Sequence, residues 1–197
     1  MTTTTAPRLI LGSTSPFRKE ILTKLGVPFG TAAPDIDESA HANETPEQLV
    51  LRLAEQKARA VGNTFPKHLI IGSDQVAVID GKILGKPHTH KRAVEQLSNA
   101  SGKTVRFHTS LCLYNSENDT LQSEVVPFDV VFRKLTSSQI ENYLQKEKPY
   151  NCAGSFKSEA LGIALFEKLL GDDPNTLMGL PLIRLIAMLE KEGMYVI

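Results

Sequence analysis

The sequence predicts a mixed α/β domain, and three observations carry that reading. Short apolar runs, Leu9-Ile10-Leu11 and Leu69-Ile70-Ile71, end at glycine; the alternation Val105, Phe107, Thr109, Leu111, Leu113 marks a half-buried strand; and hydroxyl-capped segments with apolar residues three and four apart mark helices. The 22 Lys+Arg balance the 22 Asp+Glu, giving zero formal net charge. That balance argues against a disordered tail or a generic nucleic-acid coat, both of which need excess charge. A chain of 197 residues buries roughly 70% of the surface its unfolded form exposes, enough to fold without disulfides. Cys112 and Cys152 are the only cysteines and read as ordinary thiols of a reducing compartment. The Thr-rich start has no apolar stretch and so no visible signal peptide. Leu177 to Leu189 is too short, and too interrupted by Gly179, Pro181 and Arg184, to span a bilayer. A cytoplasmic protein with neither nucleic acid nor membrane as partner is expected, with residues 1–7 a flexible N-terminus and 8–197 a single domain. The sequence leaves a homodimer open.

Each element follows from local chemistry. Arg8 to Gly12 is a buried strand running into Ser13-Thr14-Ser15-Pro16, where Ser15 caps a helix, Pro16 opens it and Gly26 stops it. Phe17, Ile21, Leu22 and Leu25 share the apolar face of that helix. An extended Val27 to Ala33 leads to an acidic loop with Asp35, Asp37, Glu38 and Glu44. Thr45-Pro46-Glu47-Gln48 is a capping box for a helix through Leu49, Leu53, Ala54 and Val61. His68 to Asp80 is a strand whose apolar run ends at Gly72-Ser73-Asp74-Gln75, and Asp80-Gly81 turns a hairpin toward Lys86-Pro87. A helix over Thr89 to Ala100, strands over Thr104 to Tyr114 and Leu121 to Phe132, and a second capping box at Thr136 to Gln139 follow. A loop over Lys148 to Ser158, a short strand over Leu161 to Phe166, a Gly-Asp-Asp-Pro-Asn loop and a helix from Pro181 complete the chain.

Two positions stand out chemically. The turn Ser13 to Lys19 combines hydroxyls, free amides at a helix N-terminus and the cations Arg18 and Lys19, a set suited to phosphate oxygens; the plain alternative is a capped helix with solvated charges. Asp74 follows buried aliphatics at the carboxyl end of a strand, where α/β sheets bind ligands, and can act as a general base, a metal ligand or merely a turn cap. Lys57 and Lys86 each follow an apolar segment and on spacing alone read as solvated lysines. Asp37 and Glu38 supply oxygens for a magnesium site only if folding brings them to Asp74. His88-Thr89-His90 lacks a third ligand for zinc, and Cys152 lacks any nucleophile signature.

The segments Ser13-Thr14-Ser15-Pro16-Phe17-Arg18-Lys19, Leu53-Ala54-Glu55-Gln56-Lys57-Ala58, Gly72-Ser73-Asp74-Gln75-Val76, Gly85-Lys86-Pro87, Ala153 to Glu159 and Asn175 to Pro181 occur in the order and spacing of the Maf nucleotide pyrophosphatases. The chain resembles that family over about residues 8 to 193, and Gln75 with Glu159 places it nearest the branch acting on 7-methyl-GTP. Two departures are Phe17, where this branch has Trp, and Thr109-Ser110, where many members have Thr-Gly.

The resemblance implies an ITPase-like α/β fold, a mixed sheet with flanking helices and two lobes around a cleft. It implies hydrolysis of a nucleoside triphosphate, foremost 7-methyl-GTP, to the monophosphate and diphosphate with a divalent metal cation, Mg2+ or Mn2+, as a house-cleaning activity. By the resemblance Asp74 is the catalytic base and, with Glu38, a metal ligand. Arg18, Lys57 and Lys86 hold phosphates, Ser13 binds the substrate, and Phe17, Gln75 and Glu159 read the base. The alternatives are a pyrophosphatase for CTP, UTP or another modified nucleotide, and a nucleotide-binding cell-division regulator without turnover.

Overall fold

The computed structural model describes residues 8–197; the expected flexible N-terminus, residues 1–7, lies outside the described residues. Strand β1 (Leu9–Gly12) runs into helix α1 (Pro16–Thr23), then β2 (Phe29–Ala32), α2 (Pro46–Gly62), β3 (Leu69–Ile79), β4 (Lys82–Leu84) and α3 (His90–Ala100). The long pair β5 (Thr104–Asn115) and β6 (Thr120–Phe132) follows, then α4 (Ser137–Glu147), β7 (Phe166–Leu170), the short α5 (Pro174–Leu177) and α6 (Leu182–Lys191). The strands form one seven-stranded sheet in the order β2-β1-β3-β5-β6-β7, with β4 paired to β3. It is parallel at β2-β1-β3 and antiparallel beyond, the mixed sheet with flanking helices that the sequence predicts.

Three apolar clusters divide between two lobes. In one lobe, Leu9, Leu11, Ile21, Leu22, Leu185 and Leu189 pack on one face of β1 and β3, and Ile10, Ala54, Ala58, Val61 and Ile70 pack on the other. In the second, Ala77 and Ile79 of the far half of β3 pack with Leu97, Phe107, Phe132, Leu144 and Phe156. The long strands β3 and β5 cross both lobes, so the cleft between them is floored by Asp74 and Gln75 of β3, whose register neighbours on β5 are Ser110 and Thr109.

Both predicted capping boxes form: Thr45 accepts from Gln48 N while the Gln48 side chain accepts from Thr45 N, and Thr136 and Gln139 repeat the exchange. Three local expectations are corrected. β5 is not half-buried beyond Arg106; Phe107 to Leu113 are all buried, with Phe107 in the second-lobe cluster, Leu111 and Leu113 beside Leu185 and Leu189 of α6, and Cys112 beside Ala54 and Ala58 of α2. Leu161 to Leu165 is 3-10 helix rather than strand, its turn closed by Gly162 N donating to Lys157 O at 3.0 Å, and pairing with β6 begins only at Phe166. The Gly-Asp-Asp-Pro-Asn stretch contains α5, because buried Asp173 accepts from Asn175 N at 2.8 Å and from Ile183 N at 2.9 Å, capping one helix and anchoring the start of the next.

Candidate active site

A cavity of about 650 Å3 opens between the lobes. Its lining includes the nine residues that the resemblance assigns to the site, Ser13, Phe17, Arg18, Glu38, Lys57, Asp74, Gln75, Lys86 and Glu159, but not Lys19. They come from six separate stretches of chain.

Asp74 lies within β3, not at its end as the apolar run suggested. β1 pairs with β3 only as far as Leu11 opposite Ile71, so Asp74 stands beyond the carboxyl end of β1, and the crevice is formed by the shorter strand. Its position is held by Ser110, whose hydroxyl accepts from Asp74 N at 3.0 Å while lying 2.6 Å from Val50 O on α2. Ser110, one of the two departures from the family pattern, therefore ties strand to helix.

Lys57 reaches Asp74 because α2 crosses β3 in direct contact. A Cβ on Gly72 would sit 2.1 Å from Ala54 O, so only glycine permits that approach. The result is a buried ammonium 2.6 Å from Asp74 Oδ1 and 2.9 Å from Glu38 Oε1. Glu38 hangs from an acidic loop clamped to α2 by Arg52, which bonds Glu44 through two nitrogens at 2.6 and 2.8 Å and Ser39 O at 3.0 Å. That fork holds the Glu44 carboxyl down to about 2. Asp37 does not join the site; it is exposed and accepts from Ser39 N in its own loop.

At the α1 N-terminus Ser15 caps by accepting from Arg18 N, and Ser13 Oγ accepts from Ser15 N at 3.1 Å. A cation in the first turn opposes the helix dipole, and Arg18 is stabilised there by donating from Nε to Gly179 O at 2.9 Å. Burial pushes its pKa down, with Asp74 and Glu38 opposing the shift; a guanidinium stays charged at neutral pH regardless. Among the described residues the guanidinium's other N–H groups have no hydrogen-bond partner, and Arg18 lines the cavity. Gly179 itself sits at φ +105°, where a Cβ would approach Arg18 Nε to 3.3 Å. Phe17 is 41% exposed at the cavity and not packed with Ile21 and Leu22 as its place on the apolar stripe implied.

The opposite wall comes from the second lobe. Lys86 follows β4, where Gln96 Nε2 bonds Gly85 O at 2.9 Å, and the same Gln96 accepts from the buried Ser155 hydroxyl. Gln96 thereby ties the Lys86 segment to the turn that carries Glu159. Lys157, in that turn, is drawn away by Glu147 at 3.1 Å. Sequence reasoning missed the aromatic floor, Phe107 and Phe156, packed edge to face at 5.5 Å; the only signal was Phe in a half-buried strand and a small-residue loop. It also missed Asn151, Ser158 and Met178 in the lining. Cys152 lines the cavity too, but burial pushes its thiol up, away from nucleophile chemistry. His90 is engaged by Glu141 at 2.9 Å and by Tyr150 at 3.0 Å.

The lining carries three cations, Arg18, Lys57 and Lys86, and three carboxylates, Glu38, Asp74 and Glu159. Cations and carboxylates alternate along it: Lys57 lies between Glu38 and Asp74, and the lining offers both donors for an oxyanion and hydrogen-bond acceptors. Among the described residues, no helix is long and apolar enough to cross a membrane.

The chain is 59% identical over 187 residues to the 7-methyl-GTP pyrophosphatase of Nitrosococcus oceani, covering 95% of this chain and 94% of that protein. Among solved structures it aligns with the Staphylococcus aureus Ham1 protein at a TM-score of 0.45 and 13% identity, over 64% of this chain and 72% of that one. It also aligns with protein VC0702 from Vibrio cholerae at a TM-score of 0.43 and 9% identity, over 94% and 97% respectively. The family model for Maf-like proteins matches residues 8–192, and the chain belongs to that family.

Proposed function

We propose that this chain hydrolyses 7-methyl-GTP to 7-methyl-GMP and diphosphate, as a hydrolase acting on a phosphoanhydride bond. The observation that carries the reading is the joint presence of Arg18, Lys57, Lys86 and Asp74 on one cavity, in a chain 59% identical to a protein named for that reaction. A rate gain on a phosphoanhydride comes from alignment and charge stabilisation more than from covalent chemistry. Arg18 and Lys86, on opposite lobes, span the triphosphate and take up charge on the leaving diphosphate. Lys57 holds Asp74 Oδ1, leaving Oδ2 to orient a water and accept its proton as the water attacks the α-phosphorus.

A divalent cation fits the donor set. The cavity's three positive side chains are matched by three carboxylates, so a polyanionic substrate enters a lining with no net charge to offset its own. Glu38 and Asp74 converge within hydrogen-bond reach of one ammonium, and one or two carboxylates plus substrate phosphates are what Mg2+ requires. These two residues would hold the ion, which when bound neutralises phosphate charge.

At the other end Phe17 stacks on the cationic purine, a contact of about 0.5 to 2 kcal/mol. Glu159 accepts from the guanine pairing edge at about 1.5 to 3 kcal/mol per charge-assisted bond, so the edge selects the base and the stack selects methylation. One domain, residues 8–197, carries the whole activity, and its two unbridged thiols suit the cytoplasm.

Diphosphate release from 7-methyl-GTP, GTP, CTP and UTP, each with magnesium, manganese or chelator, tests the reading. Preference for 7-methyl-GTP, lost with chelator, is expected. Faster release from CTP or UTP overturns the substrate, and nucleotide binding without release from any of the four overturns the enzyme.

A further inference from the structure

We infer that Thr109, which the cavity does not expose, is a positioning residue that locks the Gln75 side-chain amide so that its oxygen selects purines bearing a 2-amino group. The inference rests on the 7-methyl-GTP reading and deepens it. Gln75 Nε2 lies 2.7 Å from Thr109 Oγ1, 2.9 Å from Thr176 O and 3.2 Å from Leu177 O. Thr109 Oγ1 is 3.0 Å from Thr176 O. A hydroxyl has one hydrogen, and a carbonyl can only accept, so Thr109 donates to Thr176 O and accepts from Gln75. All three neighbours of the amide nitrogen are thus acceptors. Flipping the amide would set its oxygen against two backbone carbonyls and against a hydroxyl whose proton is already committed.

Thr109 and Thr176 are fully buried, so neither can turn to water to relieve such a flip. The nitrogen being spent on protein, Oε1 is the atom Gln75 has left to offer, and Gln75 lines the cavity. The site then presents two acceptors, Gln75 Oε1 and the Glu159 carboxylate, and no side-chain amide donor from Gln75. The exocyclic amine of a guanine-type base carries two N–H groups, enough to satisfy one acceptor each. A hypoxanthine-type base carries none there and leaves a half-buried acceptor unpaired, which is how a polar pocket rejects an analogue lacking a donor. A valine at 109 would keep the volume and remove the hydroxyl. The amide would lose its tightest anchor and could rotate.

The test compares 7-methyl-GTP with 7-methyl-ITP, which lacks the 2-amino group, in diphosphate-release kinetics and in equilibrium binding. The wild-type chain should favour 7-methyl-GTP by about tenfold in kcat/KM, one hydrogen bond's worth. Thr109→Val should shrink that preference to within about twofold, through KM, with kcat for 7-methyl-GTP nearly unchanged, and Thr109→Ser should restore it. Unchanged selectivity in Thr109→Val overturns the inference. Should Thr109→Val fail to fold, Gln75→Leu replaces it: loss of the preference is expected, and its retention overturns the inference. A wild type that hydrolyses both nucleotides equally overturns this inference alone, whereas one that hydrolyses neither overturns the functional reading beneath it.

Discussion

Lys57 Nζ and Asp74 Oδ1 lie 2.6 Å apart, with the lysine side chain only 7% exposed and the aspartate 14%. This contact joins helix α2 to strand β3 at the cavity floor, and Glu38 closes on the same ammonium from the acidic loop. A buried lysine facing two carboxylates is compensated locally. It also engages one carboxylate oxygen of Asp74, which fixes the side chain against α2.

Asp74→Asn removes the proposed proton acceptor while preserving shape and an oxygen for Lys57. Diphosphate release from 7-methyl-GTP should fall by about 10²- to 10⁴-fold, the range of general-base catalysis. The melting temperature should stay within a few degrees of wild type, read by circular dichroism. A near-normal rate would mean that another group takes the proton.

Gly72→Ala tests whether the helix-strand approach sets this pair. The added methyl meets Ala54 O at 2.1 Å and Ala58 Cβ at 3.0 Å, so backbone must move. Overpacking of this kind costs about 1 to 3 kcal/mol. A shift near 1 Å at a catalytic contact can cost about 10²-fold in rate. Both stability and kcat should drop, and a stable variant with full kcat would show that the crossing does not position Lys57.

Glu44→Gln should flatten the acid limb of the stability curve. The Glu44 carboxyl is lowered from 4.5 to about 2 by its Arg52 bonds. A depressed carboxyl contributes stability that is full above the unfolded value and is lost as pH falls through the folded one. The gap between wild type and variant should therefore be constant above about pH 4.5 and close toward pH 2 in urea titrations across that window. A gap that persists at pH 2 would place its origin outside this ion pair. Since Arg52 also holds Ser39 O, the variant should weaken the positioning of Glu38 and raise the metal concentration needed for half-maximal rate.

Thr176→Val should stabilise the chain. Among the described residues Thr176 Oγ1 is buried with no hydrogen-bond partner, while the backbone carbonyl that serves Gln75 and Thr109 is untouched by the change. Removing an unsatisfied hydroxyl at constant volume is worth about 1 kcal/mol, or about 2 to 4 °C in a domain of this size. A lower melting temperature would indicate a bound water on that hydroxyl.

Much was legible in the order of amino acids. Helix starts announced themselves through Ser15-Pro16, Thr45 with Gln48 and Thr136 with Gln139 because a cap is satisfied within four residues. The period of apolar residues placed β1, β3, β5, β6 and α2 because burial repeats with backbone geometry. The 3-10 turns at Leu161 to Leu165 were not legible, since they are closed by a bond from Gly162 to Lys157 that no periodicity encodes, and α5, although capped locally at Asp173-Pro174, is a single turn too short to show an apolar period. The same distinction governs the site. Arg18, Lys57, Lys86, Asp74 and Glu159 could be singled out by motif, but their convergence depends on contacts between distant segments: Gly72 beneath Ala54, Gly179 O on Arg18, Gln96 bridging Gly85 and Ser155. Local sequence sets what each segment can form. Which carboxylate meets which cation, and which way Gln75 faces, follow from packing across the chain, because those energies exist only once the lobes have closed on each other.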